Sequence, residues 1–217
     1  MCKRELLKLG AAAAATLAVS AVHAQAQGGP TINWKMATGW AGGPLMDIGA
    51  KAFAERMDQF SGGRFKIQTF PGGALGNALK VPETVKNGVA ECGHTWIGYD
   101  WGKDPTTVLF GGYAGSFDTE RMLHWLYQYG GVEMQRKFRE ETADVVSFPL
   151  GARTAEAFLH SRKPVKTLAD LKGLKMRIGG FAGKVVEKLG VVPQQIAAGD
   201  IYPALEKGTI DATEWVG

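Results

Sequence analysis

The sequence predicts an α/β fold built on parallel strands, and three observations carry that prediction. Segments that alternate like strands are followed by segments of helical spacing, in the order strand–helix–strand–helix between residues 32 and 96. Glycines punctuate the joints between them. The stretches "KNGVAECGHTW" and "EKGTIDATEWV" also share one plan: a helix end, a glycine, then small and β-branched residues finishing on polar residues and a Trp. Taken alone, that echo is explained by a common helix–Gly–strand joint; two related α/β halves would produce it too. Halves of this kind face each other across a cleft, and open α/β sheets bind ligands beyond the carboxyl ends of their strands. Glu214 and Trp215 stand at such an end.

The chain opens with a leader. Lys3, Arg4 and Lys8 precede the alanine-rich run "GAAAAATLAVSAV", and small residues follow around His23–Ala26. This order of basic, apolar and small residues is that of a secretory signal peptide over residues 1–26, cleaved after Ala24 or Ala26. The run is too short and too alanine-rich for a good spanning helix. "KRELLKLG" is also a degenerate twin-arginine signal with Lys in place of the first Arg, and the general route fits equally. Either places the mature protein outside the cytoplasm.

Loss of residues 1–24 lowers the formal net charge from +4 to +2, so the basic balance is partly a targeting feature. No remaining basic run is dense enough, or interleaved with aromatics, to read nucleic acid. Cys2 leaves with the leader, without a lipobox-like sequence around it, and Cys92 then has no partner for a disulfide. With 217 residues, 45% hydrophobic and 21% charged, the chain has material for one large or two small cores, and stability must come from them.

"INWKMATGW" (32–40) predicts a buried strand running into a loop. Residues 44–60 have a proline near the start and apolar residues at helical spacing (Leu45, Ile48, Ala52, Phe53, Met57, Phe60), and "SGG" ends that helix. "RFKIQTF" (64–70) alternates as a half-buried strand, residues 77–87 suit a helix, and "GVAECGHTW" (88–96) reads as a glycine turn and a strand. Residues 118–141 are helical in two pieces split at Gly130–Gly131, with Met122 and Trp125 as core positions. "DVVSFPL" (144–150) predicts a strand and "EAFLHS" (156–161) another. "TLADLKG" has the Thr-x-x-Asp form of a capping box before the strand "LKMRI" (174–178). Residues 181–189 read as helix and "VVPQQI" as extended, and Asp200 is placed to cap "IYPALEK", which Gly208 ends.

Few residues have the right surroundings for chemistry. Arg177 ends a strand and opens into "GG", where a guanidinium with free backbone beside it suits bidentate capture of a carboxylate; a surface Arg at a strand edge is the plain alternative. Glu156 and Glu214 are acids in apolar surroundings, which need a positive partner or a metal, with an ordinary salt bridge as the plain alternative. Cys92, His94 and Glu91 form the only cluster with a catalytic look, but on a strand Cys92 and His94 share a face while Glu91 points away. Nothing local lowers a thiol pKa, so a core cysteine beside a satisfied histidine is the better account. There is no phosphate-binding loop, no dinucleotide fingerprint and no zinc spacing.

The leader, "GVAECGHTWIGYDWGKDP", "SRKPVKTLADLKGLKMRIGGFAGKVVEKLGVVPQQI" and "GDIYPALEKGTIDATEWVG" together resemble the periplasmic solute-binding proteins of TRAP (tripartite ATP-independent periplasmic) transporters, the DctP-like family. The branch most resembled binds 2-oxo or 2-hydroxy monocarboxylates with a metal ion. The resemblance runs from about residue 32 onward and is most specific in "LKGLKMR" and Y-x-A-L-x-x-G-x-I-D-A-x-E-W-V-G. It implies a type II periplasmic-binding-protein-like fold of two discontinuous lobes, with residues 31–150 forming most of the first and 151–212 part of the second; residues 213–217 begin the return crossing. Members continue well past E-W-V-G, so it also implies an N-terminal portion, truncated before the second half of the lobes, that by itself binds ligand poorly.

Residue by residue, the resemblance implies that Arg177 clamps the ligand carboxylate. Glu214 and the Trp215 carbonyl hold a cation, Ca²⁺ or Na⁺, bridging to the ligand. Glu156 falls where the branch usually has Gln, as a metal and ligand contact, and its added charge favours Ca²⁺. Arg153 serves as a second anion contact or as counter-charge for Glu156, and Trp40 and Tyr99 are walls of the cleft. Asp100 and "GGYAGSF" depart from the family pattern. The implied function is capture without catalysis, followed by delivery to the membrane subunits; the oligomeric state stays open, a dimer included. A secreted thiol-dependent hydrolase using Cys92 and His94, and the ligand-binding domain of a sensory receptor, are the alternatives.

Overall fold

The computed structural model describes residues 29–216, with the side chain of Val216 excepted. The leader expected at residues 1–26 and Gly217 lie outside the described residues. Among the described residues no helix is long and apolar enough to cross a membrane.

Seven strands form two sheets. β1 (Ile32–Thr38) lies between β2 (Phe65–Phe70) and β3 (Cys92–His94), parallel to both, with Ile32 opposite Phe65 and Met36 opposite Cys92. The second sheet has the order β4 (Glu156–Ser161), β7 (Ala212–Val216), β5 (Lys175–Arg177), β6 (Val192–Gln194). β5 runs parallel to both β6 and β7, and β4 pairs with β7 antiparallel. Parallel pairing is what the helix-alternating sequence predicts, because each parallel return needs a crossover.

Alternation along β1 decides which helix covers which face. Met36 packs with Trp40, Met46, Ala50 and Tyr99 under the helical segment 45–60, whose first part, Leu45–Lys51, is a π-helix running into the α-helix Ala52–Phe60. Ala37 points the other way, into a cluster with Val81 and Ala90 beside the helix Val81–Lys86. The second sheet has its own core of Leu171, Met176, Ile178, Val186, Val191 and Ala212. The capping box forms: the Thr167 side chain takes the Asp170 backbone N–H and Asp170 takes the Thr167 N–H, opening a short 3-10 turn.

Two expectations fail for identifiable reasons. Residues 144–150 alternate correctly but form no strand, and Val146, Phe148 and Leu150 are 56%, 71% and 43% exposed. No neighbouring strand offers them a ladder, and alternation without a partner does not make a sheet. Asp200 does not cap its helix, which spans Ala198–Glu206 with Ala197 at the cap; Asp200 sits in the first turn, where its charge still favours the helix N-terminus. The split helix at 118–141 is found as Thr119–Gln128 and Gly131–Ala143, the first capped by the Asp118 side chain on the Arg121 N–H.

The helix Gly131–Ala143 is tied down by a buried ion pair. Arg139 donates to Asp100 at 2.6 Å, and both side chains are almost wholly buried. This explains the unusual Asp100: it is a structural anion next to Tyr99. Arg139→Met leaves that buried carboxylate only the half-exposed Lys103, 3.5 Å away, as a cationic partner and is expected to destabilise the fold by about 3 kcal/mol in urea denaturation. A loss under about 1 kcal/mol would show that the pair is solvated.

Candidate functional site

Both sheets aim the carboxyl ends of their parallel strands at one place. Trp40 follows β1, Trp96 follows β3, Arg177 ends β5, and Glu214 and Trp215 lie in the last part of β7. β4 runs antiparallel, so its first residue, Glu156, reaches the same end. With Leu45, Tyr99 and Arg153 these residues line one pocket. The free space left among them is about 10 Å³, at most what a single water needs, because the side chains fill it with their own ion pairs.

Arg177 is the centre. It is 1% exposed, and its Nη1 donates to both Glu214 oxygens, at 2.9 and 2.7 Å. Its Nε donates to the Ile196 carbonyl at 3.2 Å, and Nη2 reaches the Tyr99 hydroxyl at 3.4 Å. The guanidinium also lies 5.1 Å from the centre of the Trp215 ring. Burial pushes the Glu214 carboxyl above its ordinary pKa; Arg177 pulls it back and Glu156 adds to the rise. Burial likewise raises Tyr99.

Arg153 and Glu156 form a second ion pair, partly exposed, and Arg153 lies over the Trp96 ring at 5.5 Å. Trp96 meets Tyr99 edge-on at 5.3 Å and donates its indole N–H to the Gly111 carbonyl. Trp40, buried, donates to His94 Nδ1 at 3.0 Å and stands 6.3 Å from Tyr99.

The two sheets are joined through the same place. Gln195 donates to the Tyr99 carbonyl at 3.2 Å and accepts from the Gly180 N–H at 3.1 Å, and Trp101 packs on Phe181 at 5.0 Å. Gly180 has φ +60, and a Cβ there would meet Trp96 at 2.9 Å and the Gly98 carbonyl at 3.0 Å. Only glycine permits that approach.

The structure therefore brings Arg153, Glu156, Arg177, Glu214, Trp215, Trp40 and Tyr99 to one pocket. Trp96 and Leu45 are the members that sequence reasoning did not single out, and Gln195, which bridges the two sheets beside the pocket, was not singled out either. For Trp96 a signal existed, since the echo between the two stretches puts it where Trp215 stands in the other. Leu45 looked like any core position, and nothing marks Gln195.

Among the described residues no three His, Cys, Asp or Glu side chains gather closely enough to hold a metal unaided. The pocket supplies two carboxylates and backbone carbonyls, all oxygen donors. That set suits part of the coordination of a hard cation and does not suit zinc.

The cluster at Cys92 is not a catalytic site. The Cys92 thiol points at the Lys35 carbonyl at 3.7 Å, and burial, with Glu91 adding, pushes its pKa up to about 11. Burial keeps His94 neutral, and its Nδ1 is taken by Trp40. Neither residue lines the pocket.

The chain is similar to known proteins along most of its length. The profile of "Bacterial extracellular solute-binding protein, family 7" matches residues 36–217. A monocarboxylate 2-oxoacid-binding periplasmic protein of Nostoc sp. is 39% identical over 225 residues, covering all of this chain and 61% of its own length. A TRAP transporter solute-binding protein of Bordetella bronchiseptica, crystallised as a mixed-occupancy dimer with calcium and picolinate, is 39% identical with a TM-score of 0.81 over 87% of this chain and 56% of that one. A TRAP periplasmic solute-binding protein of Pseudoalteromonas atlantica, with bound sodium and pyruvate, is 35% identical with a TM-score of 0.75 over 86% of this chain and 57% of that one. The chain thus spans about six tenths of the length of these proteins.

The thiol chemistry has a direct check. With Cys2 replaced by Ser, iodoacetamide at pH 8 should alkylate folded Cys92 about 100-fold more slowly than the urea-unfolded chain, matching a thiolate population depressed by two pH units from the ordinary value of 9.0. Equal rates would mean an ordinary thiol, and faster alkylation of the folded chain an activated one.

Proposed function

This chain belongs to the bacterial extracellular solute-binding protein family 7, and from that premise we propose that it captures a small 2-oxo or 2-hydroxy monocarboxylate together with a hard cation, Ca²⁺ or Na⁺, in the periplasm. The cargo then passes to the membrane subunits of a TRAP transporter. One observation carries the reading: a wholly buried arginine, held by a carboxylate in a pocket where two sheets meet at their carboxyl ends. The named cargo of the relatives, 2-oxoacids, pyruvate and picolinate, supports the ligand class, and their calcium and sodium support the cation.

The mechanism follows from the ion pair. Arg177 exchanges Glu214, held through Nη1 alone, for the ligand carboxylate, which its guanidinium can also take. Glu214, once released, and the Trp215 carbonyl are the groups that would hold the cation, with Glu156 beside them in its pair with Arg153. A bound cation would supply the positive charge that ties these oxygens to the ligand's 2-oxo or 2-hydroxy group. Each charge keeps an opposite partner through the exchange, Arg177 the ligand carboxylate and Glu214 the cation, so no buried ion is left alone. Trp40, Tyr99 and Trp96 wall off water, which strengthens both new interactions. The lobes at 31–150 and 151–212 must part to admit the ligand, since the pocket as it stands has no room for one. The leader at residues 1–26 serves export.

Calorimetric titration of the whole gene product with pyruvate or lactate, in Ca²⁺ or Na⁺, tests the proposal. Binding in the micromolar range or tighter is expected, and Arg177→Lys, which keeps the charge but loses the fork, should weaken it at least about tenfold. A folded protein that binds neither acid in either cation would sink the reading.

Acid should act in two opposite directions. Cation capture needs ionised Glu214, so affinity should fall as pH drops, and the fall should begin above 4.5 because the carboxyl is raised. In the ligand-free protein a raised carboxyl holds its proton more firmly than in the unfolded chain. Its contribution to stability is therefore present at low pH and lost as pH rises through the folded pKa. Titrations and melting curves between pH 4 and 8 would show the two trends diverging; parallel trends would contradict the assignment.

A further inference from the structure

The pocket contains two copies of one device. Arg177 pairs with Glu214 and lies against Trp215; Arg153 pairs with Glu156 and lies against Trp96. The two tryptophans close the two stretches that echo each other in sequence, while the arginines and Glu156 come from outside those stretches. The charges face one another: Glu214 feels Arg177, Glu156 and Arg153. The copies differ in burial. The Arg177 side chain is 2% exposed and the Arg153 side chain 32%, so Arg177 lies at the floor and Arg153 at the mouth.

Resting on the capture reading above, we propose that the Arg153–Glu156 pair is a charge filter that restricts the cargo to monocarboxylates. A 2-oxo acid whose first carboxylate sits on Arg177 directs any second carboxylate away from the floor, toward the mouth. A free guanidinium there would welcome it. Glu156 instead occupies the Arg153 fork and presents its own negative charge, so a dianion meets repulsion and an occupied clamp. Selectivity here comes from a repulsive element placed against the wrong ligand as much as from contacts to the right one. The Trp96 ring holds Arg153 in place, and Thr119 anchors its backbone by donating to the Arg153 carbonyl at 2.8 Å. Both leave the guanidinium fixed when Glu156 is neutralised.

Glu156→Gln removes the charge and keeps the shape. Its binding of pyruvate and of the dianions oxaloacetate and 2-oxoglutarate, measured by calorimetry in the whole gene product at fixed salt and cation, tests the filter. The native protein should favour pyruvate, and Glu156→Gln should shift the pyruvate-to-dianion affinity ratio roughly tenfold or more toward the dianions. Adding Arg153→Gln to Glu156→Gln should cancel that gain, which a general loosening of the pocket would not do. An unchanged ratio in Glu156→Gln, a gain that survives Arg153→Gln, or native binding of dianions as tight as pyruvate overturns the filter while leaving the capture reading intact. Failure of the native protein to bind any of the three acids overturns both.

Discussion

A guanidinium buried at the end of β5 constrains everything around it. Taking the Arg177 charge out of water is costly, and the structure answers with a two-pronged bond to Glu214, the Ile196 carbonyl, the Tyr99 hydroxyl and the face of Trp215. Those partners come from β7, from the segment after β6 and from the other sheet. The bond network that makes Arg177 tolerable therefore also sets how the two sheets meet. A buried charge satisfied by a side-chain carboxylate is poor as a pure stabiliser and well suited to exchange, since an incoming carboxylate can take the place of Glu214 on Arg177 and keep that pair neutral.

The contact between the sheets is specific and small. Tyr99 takes part twice, through its carbonyl to Gln195 and its hydroxyl to Arg177, while Gly180 allows Trp96 and the Gly98 carbonyl to come close. Asp100, beside Tyr99, is held from behind by Arg139. The residue that looked like a departure from the family pattern thus supports the pocket from outside: its side chain faces the helix Gly131–Ala143. The four charged groups of the pocket sum to zero, with Arg153 answering Glu156, so in this pairing Glu156 brings no unbalanced charge that would favour a divalent ion.

Much of the fold was legible because its signals are local. β1, β2 and the glycine-stopped helix ending at Phe60 follow from alternation, helical spacing and "SGG"; Gly130–Gly131 marks the break between two helices, and Thr167 with Asp170 makes its capping box. The strand expected at residues 144–150 shows the limit. Its alternation is real, yet a strand exists only with a neighbour, and the neighbour is a matter of tertiary arrangement. Asp200 shows another, since helix starts shift by a residue or two with what the loop before them must reach.

For the site, the sequence by itself determined which residue types stand at strand ends: Arg177 before two glycines, Glu214 and Trp215 after a β-branched run, Glu156 between alanines. Those positions follow from periods of two and from glycine, which are properties of neighbouring residues. Only the tertiary structure decided that Arg177 holds Glu214 and Arg153 holds Glu156, that Trp96 joins the wall, and that partial burial raises the Cys92 thiol pKa. Pairing across tens of residues, and the burial that shifts a carboxyl or a thiol, depend on how strands from distant parts of the chain are brought side by side, which no local pattern encodes.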